Sequence, residues 1–94
     1  MEDVLNDDFF TNHSANIIYR REHTTLISKK PYSCWEEIQD EFEDYQTNLK
    51  YTYADILDFL IEDYGIDEDE QQQIVEFFKS DYTVFEWGIP NKTY

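Results

Sequence analysis

Carboxylates are the side chains of this chain with the clearest chemical potential. They occur as doublets at positions 36–37, 40–41 and 43–44, and as an uninterrupted run at positions 67–70. Carboxylates in such patterns can bind divalent cations, exchange protons in a catalytic cleft, or present fixed negative charge to a basic partner. The spacing and the neighbours of these acids distinguish the three kinds of chemistry.

Metal binding and catalysis are both disfavoured by the residues around the acids. A calcium loop that starts at Asp67 needs glycine at its sixth position and an acid at its twelfth, where the chain has Gln72 and Phe78. His13 and His23 have no partners at ligand spacing, so both are expected at the surface or in loops. Acid–base catalysis needs carboxylates in a cleft that separates their pKa values, whereas these occupy hydrophilic segments. The chain has no nucleophile motif and no phosphate-binding glycine loop. We therefore expect no metal site, no cofactor and no enzymatic activity.

Recognition of a basic partner is the chemistry that the acid pattern favours. The segment from Glu36 to Glu86 holds most of the 22 acids, and its only basic residues are Lys50 and Lys79. An ordinary solvated helix, the alternative interpretation, mixes charge signs at four-residue spacing. A four-residue step rises ~6 Å, so acid rows on two or three helices approach the charge density of a duplex, about one phosphate per 1.7 Å. The candidate partner-binding carboxylates are Glu36, Glu37, Asp40, Glu41, Glu43, Asp44, Asp55, Asp58, Glu62, Asp63, Asp67, Glu68, Asp69 and Glu70.

Three amphipathic helices are predicted to position these carboxylates. The first begins with a capping box of Ser33 and Glu36. The second begins at Thr52 and ends at Gly65, and the third begins at Asp67 with its acids near the positive end of the helix dipole. The first helix is expected to extend to residue 49, because five apolar residues follow a 3.6-residue period. They are Trp35, Ile38, Phe42, Tyr45 and Leu49.

Strands are predicted on either side of the helical region. Residues 16–20 and 24–28 are rich in β-branched and aromatic residues and indicate a hairpin, although Ser14 could instead cap a short helix. Residues 4–10 are expected to form a short amphipathic turn or a packing arm. Residues 82–87 indicate a final strand that joins the hairpin. The predicted fold is a single α+β domain over residues 1–94, with an N-terminal β-hairpin, three acidic helices on one face of the sheet and a C-terminal strand. An all-α fold is the alternative.

Composition limits the compartment and the partners. The 94 residues carry a net charge of −15, but 18% are aromatic, which favours a folded domain over a disordered one. The single cysteine, Cys34, fits a reducing compartment, and no signal peptide or membrane-spanning run is seen, so a cytoplasmic location is expected. Nucleic acid and anionic lipid would be repelled. A homodimer is an open alternative, formed through the less acidic N-terminal third or the final strand. The aromatic residues considered for such a contact are Phe9, Phe10, Trp87 and Tyr94.

In size, acidity, aromatic content and capped acidic helices over residues 33–86, the chain resembles the DNA-mimic proteins that bacteriophages make against host defences. These include anti-restriction proteins and some anti-CRISPR inhibitors. The resemblance implies a non-catalytic inhibitor whose carboxylates replace phosphates in the DNA-binding groove of a restriction enzyme, a CRISPR effector or a nucleoid protein. The small dimeric anti-restriction proteins are the first subgroup to compare. The alternative function is an acidic inhibitor or adaptor of one specific basic protein, similar to an immunity protein or a transcription modulator.

Overall fold

The chain forms a five-stranded antiparallel sheet with helices on both of its faces, which confirms the predicted α+β class. The computed structural model describes residues 8–21, 25–87 and 92–94. The predictions for residues 4–7, for His23 and for the chain around Gly88 lie outside these ranges. The helices are α1 (Asp8–Asn12), α2 (Trp35–Glu41), α3 (Tyr53–Tyr64) and α4 (Glu68–Lys79). The strands are β1 (Ser14–Arg20), β2 (Leu26–Ser28), β3 (Tyr45–Thr52), β4 (Val84–Glu86) and β5 (Lys92–Thr93), in the order β3-β1-β2-β4-β5.

The predicted N-terminal hairpin and final strand are confirmed. β1 and β2 pair antiparallel with Ile17 opposite Ile27, and β4 pairs with β2 so that Phe85 lies opposite Ile27. Ser14 is the first residue of β1 and does not cap a helix. The final strand therefore joins the hairpin through β2, as its β-branched and aromatic content predicted.

The predicted helix over residues 33–49 is wrong in its second half and at its cap. α2 ends at Glu41, the next residue is already extended, and residues 45–52 form β3 beside β1. Cys34 occupies the N-cap position without a side-chain cap, and the N–H of Ser33 donates to the Glu37 carboxylate at 3.0 Å. The capping box therefore does not form with Ser33 as the acceptor.

A β-bulge explains why the apolar spacing misled the helix prediction. Tyr45 and Leu49 are four residues apart, a spacing that fits both a helix and one face of a strand. The register shifts between Tyr19 and Arg20, so that Tyr45 pairs with Arg20 while Leu49 pairs with Ile17. Since a bulge changes the face to which the next residue points, Tyr45 and Leu49 lie on opposite faces of the sheet. Long-range pairing with β1 decides this conformation, and no local pattern reports it.

Both faces of the central strands β1 and β2 are buried, each under different helices. Ile17 and Ile27 pack in a large cluster with α1, α3 and α4. Their neighbours Ile18 and Leu26 point to the opposite face and pack in a smaller cluster with Ile38 of α2. The expectation that all three helices cover one face is therefore wrong. Adjacent strand residues that are each 0% exposed require cover on both sides.

The caps of α3 and α4 are confirmed. Thr52 Oγ1 accepts a hydrogen bond from the Asp55 N–H at 3.2 Å, and the Asp67 carboxylate accepts from the Glu70 N–H at 2.8 Å. Gly65 ends α3 in the left-handed conformation with φ 59°, which glycine adopts without steric cost. The buried residues of the two helices are Tyr53, Ala54, Ile56, Leu57, Leu60, Ile74, Val75, Phe77 and Phe78.

The aromatic residues divide between core and surface differently from the sequence expectation. Phe10 of α1 is fully buried against Tyr53 and Phe78, with ring centroids 6.3 and 6.1 Å away. Trp35, expected in the core, is 53% exposed and lies flat on Tyr45 at 6.3 Å. α1 thus packs Phe10 into the core, so Phe10 is not available for the self-association contact considered for it, while Trp35 stacks on Tyr45 at the edge of the smaller cluster.

Candidate interaction surface

The candidate carboxylates fall into two groups on opposite sides of the sheet. The α2 group comprises Glu36, Glu37, Asp40, Glu41, Glu43 and Asp44. The α3–α4 group comprises Asp55, Asp58, Glu62, Asp63, Asp67, Glu68, Asp69 and Glu70. The sheet separates the two groups because α2 packs on one of its faces and α3 and α4 pack on the other. The fold therefore does not place the acids of all three helices side by side.

The α2 group depends on a short helix and the turn that follows it. Glu36, Glu37, Asp40 and Glu41 lie on α2, whereas Glu43 and Asp44 lie in the turn before β3. Glu41 is held by an ion pair with Lys30 and accepts a hydrogen bond from the Tyr32 hydroxyl at 2.6 Å. Burial, and secondarily this hydrogen bond, raise the pKa of the Tyr32 phenol above its ordinary value.

The α3–α4 group is concentrated where the two helices meet. Asp55, Asp58 and Glu62 recur along α3 at steps of three and four, opposite its apolar stripe. The other acids lie within residues 63–70, which end α3, form the short connection and begin α4. The first turn of α4 places three carboxylates near the positive end of its dipole, which stabilises the helix while concentrating negative charge. Most of the group is exposed, and Asp58 and Glu70 are half-buried.

Internal cations neutralise little of this charge. No Lys or Arg lies between residues 51 and 78. Among the described residues, no member of the α3–α4 group forms an ion pair; in the α2 group Glu41 pairs with Lys30, and Asp44 also has a contact within the chain. The carboxylates of both groups thus remain mostly open to an external partner.

Several basic side chains instead stabilise the interior of the fold. The Arg20 side chain is 8% exposed, and its Nη2 lies 3.4 Å from Glu86 Oε2. The Tyr94 hydroxyl donates to the same carboxylate at 2.7 Å, and burial followed by this hydrogen bond raises the Tyr94 pKa to about 12. Lys29 Nζ donates at 2.8 Å to the carbonyl oxygens of Phe77 and of Ser80, at the end of α4. These cations are therefore engaged within the domain.

Burial changes the pKa of the Lys29 ammonium. Desolvation lowers its pKa, an effect that Asp81 partly opposes. The ammonium lies 4.6 Å from the centroid of the Phe77 ring. Its position at the C-terminus of α4 complements the negative end of the helix dipole. Lys29 therefore joins β2 to α4 and does not offset the acids at the other end of that helix.

A cavity opens beside the junction of α3 and α4. Its volume is about 450 Å³, and its lining includes Tyr64, Asp67, Glu70 and Trp87. The rings of Tyr64 and Trp87 are 6.2 Å apart between centroids and inclined by 30°, and the Trp87 indole N–H donates to Glu70 Oε2 at 3.2 Å. The cavity therefore combines an aromatic wall with two carboxylates.

Sequence reasoning did not identify this cavity. Trp87 and Glu70 are 17 residues apart, and the chain between them contains no feature that reports their contact. The sequence predicts Trp87 as the end of the final strand or as a self-association residue and Tyr64 as part of an apolar stripe, although Tyr64 is 54% exposed. An aromatic residue at the edge of a helical stripe was the one available signal.

The edge strand β3 is the other feature that the sequence did not reveal. β3 is the first strand in the sheet order, so among the described residues only β1 pairs with it. The segment contains no acid and one lysine, and Leu49 and Tyr51 are 37% and 36% exposed. An exposed strand edge with little charge is a surface at which strands of another chain can pair. β3 therefore presents a strand edge that carries one positive charge and no carboxylate.

The described residues contain neither a metal-binding constellation nor a membrane-spanning element. No group of three or more His, Cys, Asp or Glu side chains within them is arranged to hold a metal ion. None of the helices in the described ranges has the length and apolar character needed to cross a bilayer.

Comparison with known proteins found no matching family model, no matching curated protein and no matching solved structure.

Proposed function

We propose that this chain is a non-catalytic DNA-mimic protein that occupies the DNA-binding groove of a host DNA-binding protein or defence nuclease. The targets that fit this role are a restriction enzyme, a CRISPR effector or a nucleoid protein, in the cytoplasm of the host cell. The observation that carries the proposal is the surplus of carboxylates on and beside α2, α3 and α4. Among the described residues Glu41 pairs with Lys30 and Asp44 has a contact within the chain, whereas the other candidate carboxylates form no ion pair.

The rigidity of the acidic helices supports mimicry. Fixed charges bind a preformed groove better than mobile ones because little conformational entropy is lost on binding. α3 and α4 are anchored by fully buried side chains and capped by Thr52, Gly65 and Asp67. The longest extent of the molecule is 36 Å, which matches about one turn of B-DNA, ~34 Å. A domain of this size covers one turn of a DNA-binding groove.

The division of the acids between two sides of the sheet determines how such a groove would be filled. A groove that surrounds DNA contacts both groups, whereas a flat basic surface contacts one group only. The α3–α4 group is the better single surface because it holds more carboxylates and none of them is in an internal ion pair among described residues. We therefore place the principal contact on α3 and α4, with the α2 group as a second contact.

Competition with DNA tests the proposal. Proteins captured from a bacterial lysate at low salt and eluted at high salt would be mixed with duplex DNA of about 20 base pairs, two helical turns. The chain should displace the duplex, and its affinity should fall steeply as salt rises. A target that binds the chain and the duplex at the same time would refute mimicry.

Two matched charge variants locate the contact. Asp55→Asn/Asp58→Asn/Glu62→Gln removes three charges from α3. Glu36→Gln/Glu37→Gln/Asp40→Asn removes three from α2. If DNA is mimicked by the α3–α4 group, the first variant weakens displacement of the duplex more than the second does. Equal and small effects of both variants would contradict a charge-based contact on either side.

The second candidate function is an acidic inhibitor or adaptor of one specific basic protein. The observation that favours it is the aromatic and acidic cavity, since recognition of one partner usually depends on a few central aromatic and charged contacts. Substitution of Tyr64 by alanine would then abolish binding, while loss of three exterior charges would have a small effect. A DNA mimic shows the reverse ranking, with a gradual loss of affinity as carboxylates are removed.

A further inference from the structure

The cavity between the α3–α4 connection and the end of β4 has one wall of aromatic rings. Tyr64 is 54% exposed, and its ring lies beside the ring of Trp87. Trp87 is held from behind by Phe85, whose ring is perpendicular to it at 5.7 Å, and from the side by its hydrogen bond to Glu70. The wall is therefore fixed in place before any ligand arrives.

Two carboxylates, those of Asp67 and Glu70, give the cavity its negative charge. Asp67 Oδ1 accepts from the Glu70 N–H, and Glu70 Oε2 accepts from the Trp87 indole. The second oxygen of each carboxylate has no hydrogen-bond donor among the described residues. No lysine or arginine is among the described residues that line the cavity. Two acceptors are thus oriented by internal hydrogen bonds while each keeps an unused oxygen.

Charge and shape together select the ligand. Negative charge excludes anions, and unfilled carboxylate oxygens favour a group with several N–H donors. A guanidinium is planar, stacks on aromatic faces and donates two parallel hydrogen bonds to carboxylates, whereas an ammonium is a strongly hydrated point charge. We propose that this cavity binds a guanidinium group, supplied by an arginine side chain of the partner. That the donor is a partner protein rests on the proposed function, since DNA-binding grooves are lined with arginine.

The volume is consistent with this ligand. About 450 Å³ lies in the range of pockets that enclose small ligands, so the cavity has room for the guanidinium and the carbon chain that carries it. The chain of the arginine would lie against Tyr64, which is the exposed end of the aromatic wall. In a DNA mimic, this inserted side chain would add one specific contact to the charge contacts that the exposed carboxylates of α3 and α4 make with the groove.

Titration with a small arginine derivative tests the cavity without any partner. The indole N–H resonances of the ¹⁵N-labelled chain would be followed while N-acetylarginine amide is added, and a Trp35→Phe variant identifies the Trp87 resonance. We expect a saturable shift of the Trp87 signal. N-acetylcitrulline amide, which has the same shape without the charge, should not saturate the signal, and the amide of Nα-acetyllysine should bind more weakly.

A charge-neutral variant of the cavity provides the matched control. Asp67→Asn retains a good N-cap and Glu70→Gln retains an acceptor for the Trp87 indole, so the double variant should keep the cavity intact. Loss of the two charge-assisted contacts should weaken binding of the arginine derivative by about tenfold or more. Asp55→Asn/Asp58→Asn removes the same charge from α3 away from the cavity and should leave the affinity within about twofold.

Three results would overturn the inference: a Trp87 shift that does not saturate, equal binding of N-acetylcitrulline amide, or equal weakening by the two double variants. The last result would mean that general attraction by the acidic surface explains the effect. The titration is independent of DNA competition. Saturable arginine binding with simultaneous binding of DNA by the target would refute mimicry and leave the cavity assignment intact. DNA displacement without saturable arginine binding would refute the cavity assignment and leave mimicry intact.

Discussion

Replacement of Ile38 by alanine tests whether one side chain holds the α2 group in place. α2 has seven residues, and Ile38 is its only buried one, at 1% exposure. Isolated helices shorter than about 12 residues are marginal in water. α2 also lacks a side-chain N-cap. The packing of Ile38 against Ile18, Leu26 and Val84 is therefore the main reason that the helix forms.

The cost of this substitution can be estimated from the structure. Ile38→Ala removes three carbon atoms from a fully buried position, which at about 0.8 kcal/mol each amounts to roughly 2.4 kcal/mol. A residual cavity raises the loss within the observed range of about 2 to 5 kcal/mol. A domain of this size has a stability of about 5 to 14 kcal/mol. The variant should therefore stay folded, with a measurable decrease in its free energy of unfolding.

Urea denaturation and amide hydrogen exchange measure the two parts of this prediction. Urea denaturation should show the global loss, and the amides of α2 should lose protection while those of α3 keep it. Ile74→Ala is the control, because Ile74 is also 0% exposed but belongs to the larger cluster. The control should destabilise the domain without selective exchange of α2. A loss below about 1 kcal/mol, the average for any substitution, with unchanged α2 protection, would refute the anchoring role of Ile38.

Three further predictions concern stability. Glu86→Gln should lower the free energy of unfolding by about 1 to 3 kcal/mol in chemical denaturation, because the Arg20 guanidinium, nearly buried, loses a charged partner; an unchanged midpoint would contradict this. Thr52→Ala should cost about 1 kcal/mol through loss of the α3 cap, whereas Thr52→Ser should cost much less. The folded-state pKa of Tyr94 is raised to about 12. Its contribution to the free energy of unfolding is therefore fully present below the unfolded pKa of about 10 and is lost as the pH rises toward 12. Denaturation across this pH window should show that decline, and Tyr94→Phe should reduce its slope.

The caps of α3 and α4 and the composition of the strands were predictable because they are local. Thr52 and Asp67 cap their helices through residues three positions later, and Gly65 supplies a conformation that other residues avoid. The hairpin and the final strand followed from β-branched and aromatic runs. The exposure of most acids on α3 and α4 followed from the helical period, since apolar residues occupy the opposite stripe of each helix.

The extent of α2 and the existence of β3 were not predictable in this way. Residues 45–52 keep an apolar spacing that suits helix and strand alike, and pairing with β1 selects the strand. The bulge beside Tyr19 then directs Tyr45 to one face of the sheet and Leu49 to the other. Contacts between residues about 30 positions apart carry this information, and a short window of sequence does not contain it.

The amino-acid sequence by itself determined that the molecule is strongly acidic, with too few lysines and arginines to neutralise its surface. Only the tertiary structure decided that the acids form two groups, one on each side of the sheet, and that Tyr64, Asp67, Glu70 and Trp87 enclose a cavity. The physical reason is that charge is a sum over residues, independent of their arrangement. Which carboxylates share a surface depends instead on which face of the sheet each helix buries, and long-range strand pairing sets that.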